Sequence, residues 1–302
     1  MTSITKEILE KYQIRKSKKQ KTAFIDWLTP LVQEKGWQLK VEKGSFGVRN
    51  LVIGDVDSAK VVFTAHYDTC AVMPIPNFIT PKCIPIYIAY QLLLTVGIFA
   101  LVFGMAFLGG MIHKGLILPA YYLGLFGLLG LMIAGPANKH TVNDNTSGVT
   151  VVLELMEKLP DDLREKAAFV LFDLEEAGLL GSAAFAKAHK KAMANKLLVN
   201  FDCVSDGETM LFCFRKKAKQ DTALFQECFP TTQAVTGDFV TKGYVYPSDQ
   251  ANFPRGVGVA AMNKTKGGML YMDKIHTPKD TVYREENIAY LVDGGIRLTE
   301  QL

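Results

Sequence analysis

Charge is nearly missing from one long stretch of this chain. Between Cys83 and Asn138 the sequence has no acid and a single base, Lys114, with His113 beside it. A helix on a soluble surface needs a polar face, so an uncharged run of this length excludes that ordinary role. Cysteine is sparse and unpaired in pattern. Cys70, Cys83, Cys203, Cys213 and Cys228 form an odd set of five without a Cys-x-x-Cys spacing. This excludes a disulfide framework and points to a reducing compartment. The stretch from Met1 to Lys11 has no apolar core, so no signal peptide is expected there. A net charge of +4 over 302 residues is too small to imply a nucleic-acid partner.

The remainder is a normally charged domain of roughly 240 residues, ample for a buried core. The uncharged stretch divides into Cys83–Ile112 and Gly115–Asn138, thirty and twenty-four residues long. As helices, even the shorter would span roughly 36 Å, against about 30 Å of bilayer hydrocarbon. The spacing predicts a helical hairpin that turns at His113-Lys114-Gly115, with both ends on one side. Tyr87, Tyr90, Tyr121 and Tyr122 are placed as interfacial anchors. Gly97, Gly104, Gly124, Gly127 and Gly130 are expected to let the two helices approach. The expected division is one soluble domain from residues 1–82 and 137–302, with a transmembrane hairpin inserted at 83–136. The absence of a signal, with Lys82 and Lys139 flanking the hairpin, places the protein in the cell membrane, multi-pass, with its domain facing the cytoplasm.

Five bases crowd Arg15-Lys16-Ser-Lys18-Lys19-Gln-Lys21. They read either as a solvated loop or as a contact to anionic lipid, worth about 1 kcal/mol for each base near the surface.

Periodicity predicts helices over 4–12 and 18–36, the second kinked at Pro30. Strands are expected at 38–42, 46–53, 60–65, 167–172, 197–201, 210–214 and 257–262. Helices are expected at 148–159, 181–194 and 285–302. The strand 60–65, β-branched and apolar over most of its length, suits a buried central position. Alternating strands and helices predict an α/β fold with a mixed, mostly parallel sheet and a site at its carboxyl edge.

Polar residues gather just beyond these strands. They are His66 and Asp68 in Ala-His-Tyr-Asp, Asp144 in Asn-Asp-Asn-Thr-Ser-Gly, and Glu175-Glu176 in Phe-Asp-Leu-Glu-Glu-Ala-Gly. Asp202 in Asn-Phe-Asp and His276 in Ile-His-Thr-Pro-Lys-Asp complete the set. Histidine nitrogen and carboxylate oxygen suit zinc. Two ions about 3.5–4 Å apart need a shared carboxylate. His66 and Asp202 would hold one ion, Glu176 and His276 the other, and Asp144 would bridge them. Asp68, two residues from His66 on an extended chain, points to the same side and would orient the imidazole. Glu175 is left free to act as general base.

In that order the motifs resemble the co-catalytic zinc exopeptidases, the family of bacterial leucyl-type aminopeptidases and glutamate carboxypeptidases. Ser248-Asp249-Gln-Ala-Asn-Phe253 matches as well, and the resemblance covers residues 60–72 and 140–302. It implies the zinc exopeptidase fold, two Zn2+ ions, the roles given above and a cis Asp144–Asn145 peptide. It also implies an oxyanion-stabilising tyrosine, whose position falls between Tyr244 and Tyr246. The chain departs from the family where the hairpin replaces a short loop.

The expectation is a membrane-tethered zinc aminopeptidase acting on N-terminal peptide bonds. The alternative is a di-zinc amidase or carboxypeptidase acting on acylated or membrane-associated substrates. A binding module without activity is disfavoured, because all five ligands and the base are present. The expected partners are a peptide or acyl-amino-acid substrate and the lipid bilayer. No oligomeric state is indicated. Only about six residues join Asn138 to Asp144, so the site is expected within roughly 20 Å of the hairpin.

Overall fold

A computed structural model describes residues 1–302. The helices are α1 (Ser3–Lys11), α2 (Lys18–Glu34), α3 (Ile84–Ile112), α4 (Ile117–Ala134), α5 (Gly148–Lys158), α6 (Leu180–Ala188), α7 (Thr222–Cys228) and α8 (Glu285–Gln301). The strands are β1 (Leu39–Lys43), β2 (Arg49–Ile53), β3 (Val61–His66), β4 (Ala167–Phe172), β5 (Leu197–Phe201), β6 (Thr209–Phe214), β7 (Thr236–Val240), β8 (Gly256–Lys264) and β9 (Leu270–Tyr271). They form one sheet in the order β1-β2-β4-β3-β5-β8-β6-β7, with β9 on β8. The centre, β4-β3-β5-β8, is parallel. The flanking β1–β2, β2–β4 and β6–β8 pairs are antiparallel.

Successive residues of a strand face opposite sides, and both sides of this sheet are covered. Val61, Phe63 and Ala65 of β3 join the large core built with α1, α2, α5, α7 and α8. Val62 joins a smaller core with Phe185 and Phe253 on the other face. This double burial explains why the central strands are predominantly apolar. The parallel register, His66 opposite Phe172 and Thr64 opposite Asn200, brings the ends of β3, β4 and β5 to one edge.

Several local expectations need correction. Helix α2 keeps Pro30 inside it and ends at Glu34, short of the expected residue 36. The segment 181–194 is not one helix: α6 ends at Ala188, and a separate turn covers Ala192–Ala194. Arg15 and Lys21 do not belong to a solvated run. Arg15 is fully buried and donates to the Tyr67 carbonyl at 2.6 Å and to Thr146 Oγ1 at 3.2 Å. Lys21 forms a buried ion pair with Asp173 at 2.6 Å. Lys16, Lys18 and Lys19 remain at the surface, and the Lys16 ammonium reaches the Ile133 carbonyl at the end of α4.

Helices α3 and α4 lie side by side. Each is long and apolar enough to cross a membrane, and little of either is covered by protein. Gly109 and Gly124 provide the close approach. A Cβ at Gly109 would meet Ala120 at 2.9 Å, and one at Gly124 would meet Met105 Sδ at 3.1 Å. Gly97, Gly104, Gly127 and Gly130 have open space instead, contrary to the packing role expected of them. The turn closes when Gly115 N–H donates to His113 Nδ1 at 3.1 Å.

Candidate active site

Four of the motifs reach the site from loops that follow strands. His66 is the last residue of β3, Glu175 and Glu176 follow β4, Asp202 follows β5, and His276 follows β9. Leu174, Cys203 and His276 have positive φ, which turns the chain sharply beyond the sheet edge. Asp144 differs from this rule. It lies in the irregular turn Val142–Ser147 that leads into α5, not beyond a strand, and its peptide bond to Asn145 is cis.

The two oxygens of Asp144 face two different histidines. Oδ1 is 3.3 Å from His66 Nε2, and Oδ2 is 3.0 Å from His276 Nε2. His66 Nε2 is also 3.4 Å from Asp202 Oδ1, and His276 Nε2 is 3.4 Å from Glu176 Oε2. His66, Asp144 and Asp202 thus form one group of donors within 4.8 Å, while Asp144, Glu176 and His276 belong to a second. Glu176 Oε1 is buried without a hydrogen-bond partner. Crowded carboxylates, imidazoles and an unpartnered oxygen fit two zinc ions, since buried charge of this density needs a counter-charge.

The surrounding groups hold the donors in place. The Asp68 main-chain oxygen lies 3.1 Å from His66 Nδ1, closer than its carboxylate at 3.6 Å. The Asp68 carboxylate has a second task that spacing does not show: it accepts the main-chain N–H groups of Glu175 and Glu176, at 3.0 and 3.3 Å. Asp280 does the same for the central turn, accepting from Asn143 N and Asp144 N at 2.7 and 2.9 Å. Ser248 donates to Asp202 Oδ2 at 2.6 Å. Arg15, through Tyr67 and Thr146, ties the end of β3 to the Asp144 turn. Of the two tyrosines, Tyr246 donates to the Asp202 carbonyl at 3.0 Å, beside the site, and Tyr244 to the Phe214 carbonyl at 2.8 Å.

Burial raises the carboxyls of Glu175 and Glu176, the latter to about 8. Burial also opposes ionisation of Asp144, but hydrogen bonds from His276 and His66 outweigh it and hold that carboxyl well below its usual range. Burial opposes a charge on His276 too, yet the Glu176 and Asp144 carboxylates raise it to about 9. Asp280 is pushed to about 7 by burial and by the nearby Asp144 charge.

The hairpin joins the domain next to these residues. Ala71 pairs with Ala137, and Val72 N donates to the Pro136 carbonyl at 2.8 Å. Met73 N donates to the carbonyl of His276 at 2.8 Å.

A mixed sheet with this donor set at its carboxyl edge defines a zinc metallopeptidase. The profile described as peptidase family M28 matches residues 130–290, more than half of the sequence, and the chain belongs to that family. The match begins after most of the hairpin and leaves out His66 and Asp68, which the fold brings to the site. A search of the curated proteins finds no match.

Solved structures agree in fold. The Legionella pneumophila LapA aminopeptidase is similar with a TM-score of 0.58 at 13% identity, covering 99% of this chain and 68% of that one. A leucine aminopeptidase precursor from Bacteroides thetaiotaomicron gives 0.58 at 11% identity, covering 99% and 94%. The Porphyromonas gingivalis glutaminyl cyclase gives 0.55 at 16%, covering 98% and 96%.

Proposed function

We propose that this chain is a membrane-tethered, two-zinc aminopeptidase. The observation that carries the reading is Asp144, whose two oxygens face His66 on one side and His276 on the other. His66, Asp202 and Asp144 would hold one ion, and His276, Glu176 and Asp144 the other. Two zinc ions there would supply positive charge to polarise the scissile carbonyl and to acidify a water. Glu175 would take the proton from the attacking water and hand it to the departing amine nitrogen. Asp68 would position both partners of that step, because it holds His66 through its carbonyl and the Glu175 main chain through its carboxylate. Tyr246, next to Asp202, is the better-placed oxyanion donor of the two tyrosines, provided its hydroxyl turns from the Asp202 carbonyl.

Residues 83–136 would form the membrane hairpin, and 1–82 with 137–302 the catalytic domain. Exposed Leu92, Leu93, Phe103, Phe107 and Leu123 support burial of α3 and α4 in lipid. Lys16, Lys82 and Lys139 near the hairpin's open end, together with five free cysteines, support a cytoplasmic domain.

A second reading, an amidase or carboxypeptidase for acylated or membrane-associated substrates, draws on the paired tethers beside His276, which would bring a bilayer around the hairpin close to the cleft. The deciding experiment is a hydrolysis panel of aminoacyl, N-acyl, C-terminal and N-terminal glutaminyl peptides, run with metal analysis. Zinc at about two per chain and preference for a free N-terminus are expected. Preference for N-acyl substrates would replace the first reading with the second, and cyclisation of the glutaminyl peptide would replace both.

A further inference from the structure

The position assigned to the second zinc has one donor more than the family resemblance supplies. Cys70 lies four residues beyond His66, on the segment leading to the hairpin. Its Sγ, an oxygen of Asp144, an oxygen of Glu176 and a ring nitrogen of His276 all lie within 4.8 Å of one another. The side chain is 1% exposed and its sulfur is reduced. Its surroundings are fixed. The Cys70 carbonyl accepts from Asn138 N at 3.1 Å, Ala71 bridges to Ala137, and Met73 N holds the carbonyl of His276. The same short ladder therefore positions the thiol and the histidine. Glu176, in this cluster, keeps Oε1 buried with no partner, as a carboxylate facing a cation would.

We infer that Cys70 is a thiolate ligand of the second zinc ion, completing a sulfur–nitrogen–two-oxygen set with His276, Asp144 and Glu176. The inference rests on the two-zinc reading and extends it. Binding forms a sulfur–metal bond and releases the thiol proton to solvent. Four protein donors make a closed tetrahedral set of the kind that holds zinc structurally, whereas His66, Asp144 and Asp202 offer three and leave a position open. The two ions would differ in kind. The Cys70 ion would be retained more firmly and would select zinc, cobalt or cadmium over magnesium and manganese, since thiolate is a soft ligand. Cys203 supplies a built-in control. Its thiol donates to Asp202 Oδ1 at 3.2 Å, beside the first position, yet its sulfur is not in either donor group.

Cobalt absorption tests this without reference to activity. The full-length protein in detergent is stripped with a chelator, reloaded with Co2+, and its metal content measured. A near-ultraviolet thiolate-to-cobalt band is expected in the native chain and in C203S. It should be lost in C70S while visible cobalt absorption persists. The native and C203S proteins decide the matter even if C70S fails to fold. Two bound cobalt ions without the band would overturn the role of Cys70 and leave the two-metal reading standing. Loss of the band in C203S, or its survival in folded C70S, would also overturn it. A native protein that binds no cobalt would overturn both readings.

Discussion

At the carboxyl edge of the sheet, His66, Asp144, Asp202 and Asp280 are buried, and almost every oxygen and nitrogen among them faces another polar atom. Along α3 and α4 the pattern is inverted. Leu93, Phe107 and Leu123 stand exposed, and only Val102, Ala106, Gly109 and Gly124 are covered. The two regions make opposite demands within a few residues of one chain. In the domain, burying a charge is costly unless partners are supplied. In lipid, the backbone must satisfy itself, and two closed helices do so without help from side chains. Under the proposed function, the contrast assigns the chemistry to the polar edge and assigns to the hairpin the place where that edge meets its substrates.

The largest effect should come from Glu175, the acid at the edge assigned the role of proton acceptor. Glu175→Gln removes a proton acceptor and no ligand. It should lower turnover by about 10²–10⁴-fold while both ions and the fold are kept. Turnover close to native in a fully metallated variant would move the base elsewhere and break the division of labour between Glu175 and Glu176.

Asp280→Asn tests whether the buried network serves the donors. Asp280 touches no expected ion, but it fixes the main chain of Asn143 and Asp144. Losing one acceptor should loosen the shared carboxylate and weaken zinc binding by about 10–100-fold, as removal of supporting groups does at other metal sites. Chelator competition reads this directly. Unchanged affinity would mean that the Val142–Ser147 turn holds Asp144 without help from Asp280.

Much of this edge was legible in the residues. Strands such as Val61–Ala65 and Ala167–Phe172 announce themselves because burial on both faces removes every charged residue from them and leaves only Thr64 as a polar one. The residues that follow them inherit one edge from the parallel register. Other features depend on tertiary contacts that have no local signature. Arg15 sits in a run of bases and reads as solvated, yet it is fully buried against Tyr67 and Thr146. Strand β7, Thr-Gly-Asp-Phe-Val, lies at the sheet border, where neither alternation nor a continuous apolar run is needed. Helix α7 has seven residues, too few for a period to show. The stop of α6 at Ala188 was hidden by the helix-forming alanines and lysines beyond it. Asp280 could have been suspected, since it lies in the His276 motif, but its partners at Asn143 and Asp144 are more than a hundred residues away.

Removing the hairpin sharpens the comparison from the other side. Its ends are already drawn together by the Ala71–Ala137 pairing, so deletion of residues 83–136 with a short linker should leave the polar edge assembled. Metal content and turnover on small polar substrates should stay near native. The ratio of amphiphilic to polar substrate turnover should fall several-fold, because interfacial substrates would no longer be delivered. An unchanged ratio would make the hairpin an anchor and nothing more.

The smallest expected effect concerns acid, which the two regions should feel differently. Neither apolar helix contains an Asp or Glu. The domain has many, and Glu154 on α5 illustrates how they contribute. It accepts Thr5 Oγ1 at 2.5 Å and Thr2 Oγ1 at 3.0 Å, and it pairs with Lys158 at 2.8 Å, so it fastens α1 to the body of the domain. Burial alone would raise its pKa, but these partners outweigh burial and hold it below the usual carboxylate range. A carboxyl depressed in the folded state stabilises that state fully above its unfolded pKa of about 4.3 and loses the contribution as pH falls through the folded value. Acid below about pH 4.3 should therefore release α1 before it disturbs α3 and α4. The opening equilibrium of Ser3–Lys11, taken as the amide exchange rate divided by the intrinsic rate at each pH, should rise below about pH 4.3 in the native chain. In Glu154→Gln it should be larger at neutral pH and lose most of its dependence on pH, while that of the hairpin stays constant in both. An α1 signal that responds to acid equally in the two proteins would place the acid-sensitive contact at some other carboxylate.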